Sequence, residues 1–483
     1  MFFYSEAKNS PLLILIVFAA LGALATLMIL IHRAIPEVKG GGIPRSEGIL
    51  RGMLSFKPLK TLFGTLFGSM ISFFGGLPLG SEGPAVLIGT SVGSLCMGRL
   101  GQNHAWSRYV MTGGASAGFA VATGAPLSGL LFSLEEIHKR FTPMLVLTVS
   151  VSVLSATYVN ELLSDLFGVS TSLFHVEDLP TLELSHVGYL LLLGVVVAVG
   201  VALFDLSIEL FHKVMSTPKR TVRPWMRRVI VFMLSGIIAL TLTDGVFSGH
   251  DAVHATIDLS RPTAYLFAIF IIRVLMMLLV TDSGVTGGIF IPTLAIGALY
   301  SAMTTNILIK LGLPPEYYAA FVLLGMCAFI GGTLRAPITA AVLFIELTGQ
   351  FTNLFFVALV IFSVNLINDL IDQKPFYDRV LEEIVKDQNK NRETKIGYFE
   401  MQVSENAFVI GKTVRDIMWP ASAVVISITR ADEHTDKMAN DGEKKLYPHD
   451  TVVIRTKYFD ENDLKLSLAA LVGNTYEIKK IEK

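Results

Sequence analysis

The segment Gly114-Ala-Ser-Ala-Gly-Phe-Ala-Val-Ala-Thr-Gly-Ala-Pro126 is matched 211 positions later by Gly325-Met-Cys-Ala-Phe-Ile-Gly-Gly-Thr-Leu-Arg-Ala-Pro337. The same register continues through Leu130-Leu-Phe-Ser-Leu-Glu135 and Ala341-Val-Leu-Phe-Ile-Glu346. Both copies are rich in small and apolar residues, and both place a proline before a second apolar run that ends in a glutamate. The sequence therefore predicts an internal repeat of two related halves.

A further pair of segments extends the repeat upstream. Pro84-Ala-Val-Leu-Ile-Gly89 matches Pro292-Thr-Leu-Ala-Ile-Gly297 at an offset of 208. Glycines and prolines interrupt the apolar runs just before both segments. Irregular backbone at membrane depth is tolerated only inside protein or along a cavity, and matched interruptions in two halves point to a transporter's binding site. The sequence shows that the halves repeat, but not that they are inverted.

The composition favours a membrane protein. The chain has 483 residues, is 52% hydrophobic and has a charged fraction of only 16%, against about 25% in a typical soluble domain. About 20 apolar residues in a helix span the hydrocarbon core of a bilayer. The net charge of −1 gives no basis for binding nucleic acid. Clear candidates for membrane spans are Pro11–Ile31, Val187–Leu203, Val229–Leu242 and Tyr265–Val280.

The chain becomes polar after about Tyr377. We predict a transmembrane domain over residues 1–380, a linker over 381–395 and a small α/β domain over 396–483. Alternating apolar residues in the tail predict strands, and two segments fit short helices. The predicted strands are Phe399–Val403, Ala423–Thr429 and Thr451–Arg455, and the predicted helices are Gly411–Ile417 and Asp463–Val472.

Three segments combine glycines with a proline at a break in the chain: Gly40-Gly-Gly-Ile-Pro44, Gly80-Ser-Glu-Gly-Pro84 and Gly287-Gly-Ile-Phe-Ile-Pro292. Each precedes a run that fits a helix, and proline suits the first helical turn. A helix N-terminus presents unsatisfied N–H donors and about half a positive charge. Several converging N-termini would therefore form an anion site without any basic side chain.

Glu82 lies inside the second of these segments, between apolar runs. A carboxylate at membrane depth is costly and indicates a functional site by default. At an anion-binding helix N-terminus, its carboxylate could take the anion's own position, and protonation would release it. One side chain would then compete with the anion and transfer a proton.

The three segments, in this order and at this spacing, resemble the signature motifs of the CLC family of chloride channels and transporters over most of residues 11–380. The resemblance implies an all-α polytopic membrane protein with an inverted repeat of broken helices. It also implies a homodimer with one pore in each subunit, and it makes Glu82 the external gating glutamate. The positions that would bind the anion by this resemblance are Gly41, Gly42, Ile43, Ile289, Phe290 and Tyr377, the last through its hydroxyl.

Glu136 follows Glu135 at the end of the run that begins at Pro126. Transporter members of the CLC family are similar in having a second glutamate here, which exchanges protons with the cytosol, whereas channel members usually lack it. A structural alternative is a carboxylate at a helix end, paired with one of the basic residues that follow, His138, Lys139 and Arg140. The presence of Glu136 favours an exchanger over a channel.

Three features depart from the family pattern. Gly41 stands where the family commonly has a serine that helps to coordinate the anion, so chloride, nitrate and fluoride all stay open. Ser81 stands where a basic residue is frequent, which predicts weaker attraction of anions at the outer mouth. The first span resembles the family's second long helix, so either a preceding helix lies upstream or the N-terminus faces outside.

The tail over residues 396–475 resembles the TrkA-C type of regulatory domain. The similarity rests on Val409–Ile417, the strand at Val424, and Leu446-Tyr-Pro-His-Asp-Thr-Val453. It implies a dimerising module in the cytosol that senses a small ligand such as a cyclic dinucleotide; a dimer-stabilising module without a ligand is the alternative. Such a tail favours the plasma membrane of a bacterium.

The leading hypothesis is a chloride/H⁺ exchanger, with a passive chloride channel or a fluoride- or nitrate-preferring antiporter as alternatives. A cation pathway would need a Thr-Val-Gly-Tyr-Gly type of filter loop, which the sequence lacks. A membrane enzyme is disfavoured because the sequence contains no Ser/His/Asp or metal-ligand pattern. We expect no cofactor; the predicted partners are a small anion, protons and the lipid bilayer.

Overall fold

The computed structural model describes residues 10–100, 104–168, 179–216, 222–257, 259, 261–372, 374–389, 394–420, 422–430, 435–437, 442–473 and 478–481. Up to residue 389 these residues are almost entirely helical. The helices of the first half are α1 (Pro11–Ala34), α2 (Gly42–Leu50), α3 (Pro58–Phe74), α4 (Glu82–Leu100), α5 (His104–Thr123), α6 (Pro126–Phe132) and α7 (Pro143–Phe167). Those that follow are α8 (Val187–Ser216), α9 (Pro224–Thr241), α10 (His250–Ile257), α11 (Thr263–Ser283), α12 (Phe290–Lys310), α13 (Tyr318–Leu334), α14 (Pro337–Thr348), α15 (Leu354–Leu370) and α16 (Phe376–Gln388).

Seven helical segments in the described part of the chain are long and apolar enough to cross a bilayer. Those formed by α12 and α13 are 78% and 89% buried within the protein, whereas those formed by α1 and α7 are each only 17% buried. Helices α12 and α13 therefore form the centre of the molecule, and α1 and α7 present apolar faces outward, as lipid contact requires. The prediction of a polytopic α-helical membrane protein is confirmed.

The repeat is visible where the short helices α6 and α14 meet. The Glu135 carboxylate, just beyond the end of α6, accepts hydrogen bonds from the backbone N–H groups of Ile338 and Thr339 at 2.9 and 2.7 Å. It also accepts one from the Thr339 hydroxyl at 2.7 Å. The first turn of a helix leaves N–H groups without intrahelical partners, so Glu135 caps the start of α14.

Glu346, near the end of α14, makes the same contacts in the opposite direction. Its carboxylate accepts hydrogen bonds from the N–H groups of Leu127 and Ser128 at 2.7 and 2.8 Å, and from the Ser128 hydroxyl at 2.5 Å. Each helix is thus capped by the glutamate at the far end of the other. Two helices can cap each other in this way only when they run antiparallel, so the matched segments of the two halves point in opposite directions here.

The tail folds into a five-stranded antiparallel sheet with the order β3-β2-β4-β1-β5. One helix, α17, accompanies it, as predicted for Asp463–Val472. Three strands confirm the predicted ones, and β3 and β5 were not predicted. The elements are β1 (Lys395–Gln402), β2 (Val424–Thr429), β3 (Thr435–Lys437), β4 (Thr451–Tyr458), α17 (Glu461–Val472) and β5 (Lys479–Ile481).

The predicted helix over Gly411–Ile417 is wrong. Only Val414–Asp416 forms a single 3₁₀ turn, because backbone N–H groups of the segment donate to acceptors other than the carbonyls of an α-helix. The Gly411 N–H donates to the Leu446 carbonyl at 2.8 Å, and the Thr413 hydroxyl accepts from the Asp416 N–H. Hydroxyl side chains of this kind compete with helical hydrogen bonds and favour turns.

The tail packs against one end of α5. The rings of Trp106 and Phe408 meet edge-to-face with centroids 5.2 Å apart, and the Tyr109 hydroxyl donates to the Asp416 carbonyl at 2.9 Å. A single apolar cluster includes Tyr109 and residues of the tail's sheet. Helix α16 runs through residue 380 and β1 begins at Lys395, so the division into 1–380, 381–395 and 396–483 stays a prediction.

Candidate functional site

Three helices begin around one small region, and each has proline as its third residue. Helix α2 begins at Gly42, α4 at Glu82 and α12 at Phe290. Proline has no N–H and its fixed φ suits the first turn, so the free donors at each start belong to the residues just before the proline. The three prolines are Pro44, Pro84 and Pro292.

The backbones of these helix starts touch directly. Gly80 and Gly288 exchange two hydrogen bonds, with N···O distances of 2.7 and 2.8 Å. A Cβ atom added to Gly42 would lie 1.9 Å from the carbonyl oxygen of Gly83, and one added to Gly83 would lie 2.9 Å from Cα of Gly288. Only glycine permits this approach, which is why the glycines of all three segments meet here.

A cavity of about 70 Å³ lies beside the helix starts. Of the predicted anion-binding residues, Gly41, Ile289 and Tyr377 line it. A water molecule occupies about 30 Å³ in the liquid, so the cavity has room for a small ion rather than an organic ligand. The other three predicted residues are buried beside it without lining it: Gly42, Ile43 and Phe290.

Tyr377 is buried, and its hydroxyl has no hydrogen-bond partner among the described residues. The charged groups that act on this hydroxyl are Glu136 first, then Glu82 and Glu47. A buried hydroxyl without a partner is costly, and Tyr377 lines the cavity. Tyr377 is therefore a free donor at the centre of the site.

Glu82 is fully buried at the start of α4. Its carboxylate folds back over Gly80 and reaches Gly288, since Cβ atoms added to these glycines would lie 2.2 and 2.9 Å from Oε2. The N–H groups of Glu82 itself and of Ile291 face the carboxylate, yet neither oxygen makes a hydrogen bond within the described part of the chain. The carboxylate thus occupies the space where the helix starts converge.

Glu136 lies in a π-helical turn, Ser133–Ile137, and is 1% exposed. Such turns are rare and are frequent at functional sites. Neither carboxylate oxygen has a hydrogen-bond partner among the described residues. Of the three basic partners considered from the sequence, Lys139 instead pairs with Asp378 at 2.5 Å. Glu136 is therefore a buried carboxylate without an ion pair in the described structure.

Glu47 is a buried carboxylate that the sequence analysis missed. It is fully buried in α2 and lies 2.9 Å from the Arg51 guanidinium, whose Nε donates to the Ile137 carbonyl at 2.9 Å. Glu47 is the first of the charged groups that act on Glu136. A glutamate three residues after Pro44, in a helix whose other buried residues are mostly apolar, was the available signal.

A basic cluster next to the cavity residue Gly40 was also missed. Lys39 directly precedes the cavity residue Gly40. Burial, followed by the neighbouring Arg228 and Arg45, lowers the pKa of the Lys39 ammonium. Lys39 and Arg45 flank the first glycine-proline segment, but Arg228 comes from a distant part of the sequence, so no local pattern indicates the whole cluster. Their combined charge would attract anions towards the cavity.

The sequence of this chain is similar to those of known proteins. The model of the family described as voltage gated chloride channel matches residues 21–369. The H(+)/Cl(−) exchange transporter ClcA of Vibrio cholerae serotype O1 (strain M66-2) is 29% identical over 368 residues, which are 74% of this chain and 77% of the relative.

Two solved structures share the fold. A slow cyanobacterial Cl⁻/H⁺ antiporter superposes with a TM-score of 0.72 at 24% identity, over 80% of this chain and 94% of the other. A CLC-type fluoride/proton antiporter gives 0.56 at 18% identity, over 73% and 92% of the two chains. Since the family model covers well over half of the sequence, the chain belongs to the voltage gated chloride channel (CLC) family.

Proposed function

We propose that this chain is a proton-coupled chloride/H⁺ exchanger. One observation carries the proposal: two buried carboxylates, Glu82 and Glu136, have no partner in the described structure, and both act on the Tyr377 hydroxyl beside an ion-sized cavity. Isolated buried charges cost several kcal/mol each, about the size of a whole domain's margin of stability. Function is the simplest reason for keeping two such buried carboxylates in one protein.

Glu82 performs the outer step. Its carboxylate sits at converging helix starts, where N–H groups and helix dipoles favour negative charge. An anion would be stabilised by the same groups, so the carboxylate and the anion compete for one position. Protonation makes Glu82 neutral and removes its advantage, and an anion then takes its place. Each cycle of this competition couples the movement of a proton to the movement of an anion.

Neutral donors hold the anion in the central cavity. The Tyr377 hydroxyl and the backbone N–H groups near Gly41, Gly42, Ile43, Ile289 and Phe290 are the proposed donors. Hydrogen bonds from neutral donors are weaker than those from charged ones. The site can therefore strip water from an anion and still release it, as transport requires. The basic cluster of Lys39, Arg45 and Arg228 raises the anion concentration near the cavity.

Glu136 performs the inner step. It lies beside the Glu47–Arg51 pair and within the influence of Lys139 and Asp378, at the end of the molecule where the tail docks. No group in the described structure neutralises its charge directly, so a proton from the cytosol can do so. Glu136 then passes the proton towards Glu82, past the Tyr377 hydroxyl.

The names of the relatives support exchange, because both the Vibrio protein and the cyanobacterial structure are described as chloride/proton antiporters. The fold is shared with a fluoride/proton antiporter, so the fold does not select the anion. Gly41, at the cavity, is the residue that keeps nitrate and fluoride open. A passive channel on the same fold is the second candidate, favoured only if Glu136 proves structural.

Replacing Glu136 separates the two candidates. In liposomes that contain the purified protein, Glu136→Gln should abolish proton movement driven by a chloride gradient while chloride flux persists. Glu382→Gln is the matched control, because this carboxylate is exposed on α16 and, among the described residues, forms an ion pair with Lys374 alone. Unchanged proton movement in Glu136→Gln would contradict the inner step, and absence of proton movement in the unmodified protein would indicate a channel.

We also infer a homodimer with one pore in each subunit, in a bacterial plasma membrane, with a TrkA-C-type tail in the cytosol. The family likeness supports the dimer. The contact between the tail and the end of α5, close to Glu136, supports a cytosolic tail. Light scattering of the detergent-solubilised protein should give twice the mass of one chain. The mass of a single chain would contradict the dimer.

A further inference from the structure

A second cavity, of about 320 Å³, lies between the transmembrane domain and the tail. Its volume is within the range typical of sites for small organic ligands. Both parts of the chain supply its walls, so it exists only while the tail is docked. The polar and aromatic residues that matter here are Arg51, Arg108 and Arg140 from the transmembrane domain, and Arg415, Asp416 and Trp419 from the tail.

Two of the four arginines have no carboxylate partner among the residues that the structure describes. Arg140 is exposed and makes no ion pair within those residues. The Arg108 guanidinium donates only to the Met418 carbonyl, at 3.2 Å. Arginine presents five donors in a planar fork that matches phosphate and carboxylate oxygens. The cavity thus offers guanidinium donors that nothing described in the protein neutralises.

The cavity wall has an excess of positive charge. Its one acid, Asp416, accepts a hydrogen bond from the Thr413 hydroxyl at 2.7 Å. Arg415 is compensated by Glu443, at 2.5 Å. With Glu47, Glu443 and Asp416 counted against the four arginines, the wall keeps an excess of one positive charge, so it favours an anion.

His138 also lines the cavity. Burial, followed by Arg51, Arg108 and Arg140, lowers the pKa of its imidazole to about 3. The ring is therefore neutral at physiological pH, with Nε2 hydrogen-bonded to the Thr112 hydroxyl at 2.8 Å. The imidazole therefore adds no further positive charge to the wall.

We propose that this cavity binds a phosphate-bearing metabolite of about nucleotide size and that the bound ligand regulates exchange. Arg108 and Arg140 would hold the phosphate through charge-assisted hydrogen bonds. Trp419, whose indole N–H is fixed by the Val414 carbonyl at 3.0 Å, offers an apolar aromatic wall for the organic part of the ligand. The ligand would bridge the two domains.

The cavity is connected to the turn that bears Glu136. The Arg51 Nε–H donates a hydrogen bond to the Ile137 carbonyl at 2.9 Å, and the Arg140 backbone N–H donates one to the Leu134 carbonyl at 3.0 Å. An anion that draws the Arg51 guanidinium towards the cavity weakens its pair with Glu47, the acid next to Glu136. This regulatory part rests on the proposed function, whereas the binding part does not.

Binding is tested on the purified full-length protein by isothermal titration calorimetry with pyrophosphate and with adenosine monophosphate. We expect saturable binding of both, weakened about tenfold or more in Arg140→Gln and abolished in Arg140→Glu. Arg455→Gln, an exposed charge on β4 outside the cavity, should bind as the unmodified protein does. No saturable binding, or equal binding by Arg140→Glu, would overturn the site.

A cyclic dinucleotide serves as a further probe. If it alone binds, and Arg140→Glu leaves that binding unchanged, the ligand lies elsewhere in the tail and this assignment is wrong. For regulation, chloride-driven proton flux is measured with and without adenosine monophosphate inside the liposomes. We expect the rate to change at least twofold in the unmodified protein and not in Arg140→Gln. Binding without any change in rate would overturn regulation alone, and absence of all coupled flux would refute the proposed function while calorimetry still decides the site.

Discussion

Glu135 and Glu136 are neighbours in sequence but have opposite environments. Glu135 accepts three hydrogen bonds at the start of α14, whereas Glu136 accepts none within the described structure. A satisfied carboxylate stabilises the fold, and an unsatisfied buried one destabilises it. Glu135 therefore has a structural role in capping α14, whereas we propose a functional role for its neighbour Glu136.

The first prediction uses this pair. Glu135→Gln should lower the free energy of unfolding by about 1–3 kcal/mol, because hydrogen bonds to a charged group are lost. Glu136→Gln should leave stability unchanged or raise it, since a neutral amide costs less to bury. Thermal unfolding of the purified protein in detergent measures both. Destabilisation of Glu136→Gln greater than that of Glu135→Gln would show that Glu136 is structural.

The second prediction concerns the adjacent glycines Gly41 and Gly42. A Cβ atom on Gly41 would approach only Gly287 and Pro44, both at 3.8 Å, so serine fits. Gly41→Ser adds a hydroxyl donor at the cavity and should tighten chloride binding about twofold to tenfold, the effect of one ordinary hydrogen bond. Calorimetric chloride titration measures this affinity.

Gly42→Ala is the contrasting variant. Its Cβ would lie 1.9 Å from the Gly83 carbonyl oxygen, so the helix starts must separate. We expect loss of folded protein or of chloride binding. If Gly42→Ala binds chloride normally, the close approach of these backbones is unimportant; if Gly41→Ser fails to fold, the cavity is described wrongly.

Sequence patterns indicated some site residues and missed others for a clear reason. Glu82 was recognisable because its local motif contains both the glycines and the proline of a helix start. Glu47 and the cluster of Lys39, Arg45 and Arg228 depend on which helices become neighbours. No local pattern contains that information, so these charges became evident only from the fold.

Among the elements, the antiparallel pair of α6 and α14 relates the two halves most directly. The repeat of sequence predicted two related halves, but the direction of each half became visible only from the capping contacts of Glu135 and Glu346. At Gly411–Ile417, by contrast, an amphipathic pattern predicted a helix that the structure does not contain. There, a local hydrogen bond to the Thr413 hydroxyl and backbone hydrogen bonds to distant residues determine the conformation instead.

The third prediction tests the mutual capping as one unit. Glu135→Gln and Glu346→Gln should each destabilise the protein, but the double variant should lose less than the sum of the two. Both changes loosen the same pair of helices, and contacting sites are not additive. A double-mutant cycle of unfolding free energies measures the coupling, for which we expect about 0.5–3 kcal/mol. Strict additivity would mean that the two caps act independently.

For the whole molecule, docking of the tail is the feature most open to test. Phe408→Ala removes the ring that contacts Trp106 and should expose the end of α5. We expect hydrogen exchange in residues 104–112 to accelerate at least tenfold, as about 1.4 kcal/mol of lost stability would cause. Tyr447→Phe, at an exposed position of the tail, is the control. Unchanged exchange would contradict the docked arrangement.

The family and the membrane fold could be predicted from three short motifs and a repeat, because these encode local backbone geometry. The cavity between the domains could not, since its walls come from positions as distant as Arg51, Arg140 and Trp419. Assembly of distant segments, rather than local pattern, creates such sites. This is why the family and the membrane fold were recognisable from the sequence and the candidate regulatory site was not.

The central claim is that chloride and proton movements are coupled, and one flux experiment tests it. Liposomes loaded with high chloride are diluted into low chloride at equal pH, with the voltage held at zero by potassium and valinomycin. Efflux of chloride should then drive protons inward, so that the external solution becomes alkaline, and Glu82→Gln should abolish this change. Chloride efflux without any proton uptake would contradict the account and make the protein a passive channel.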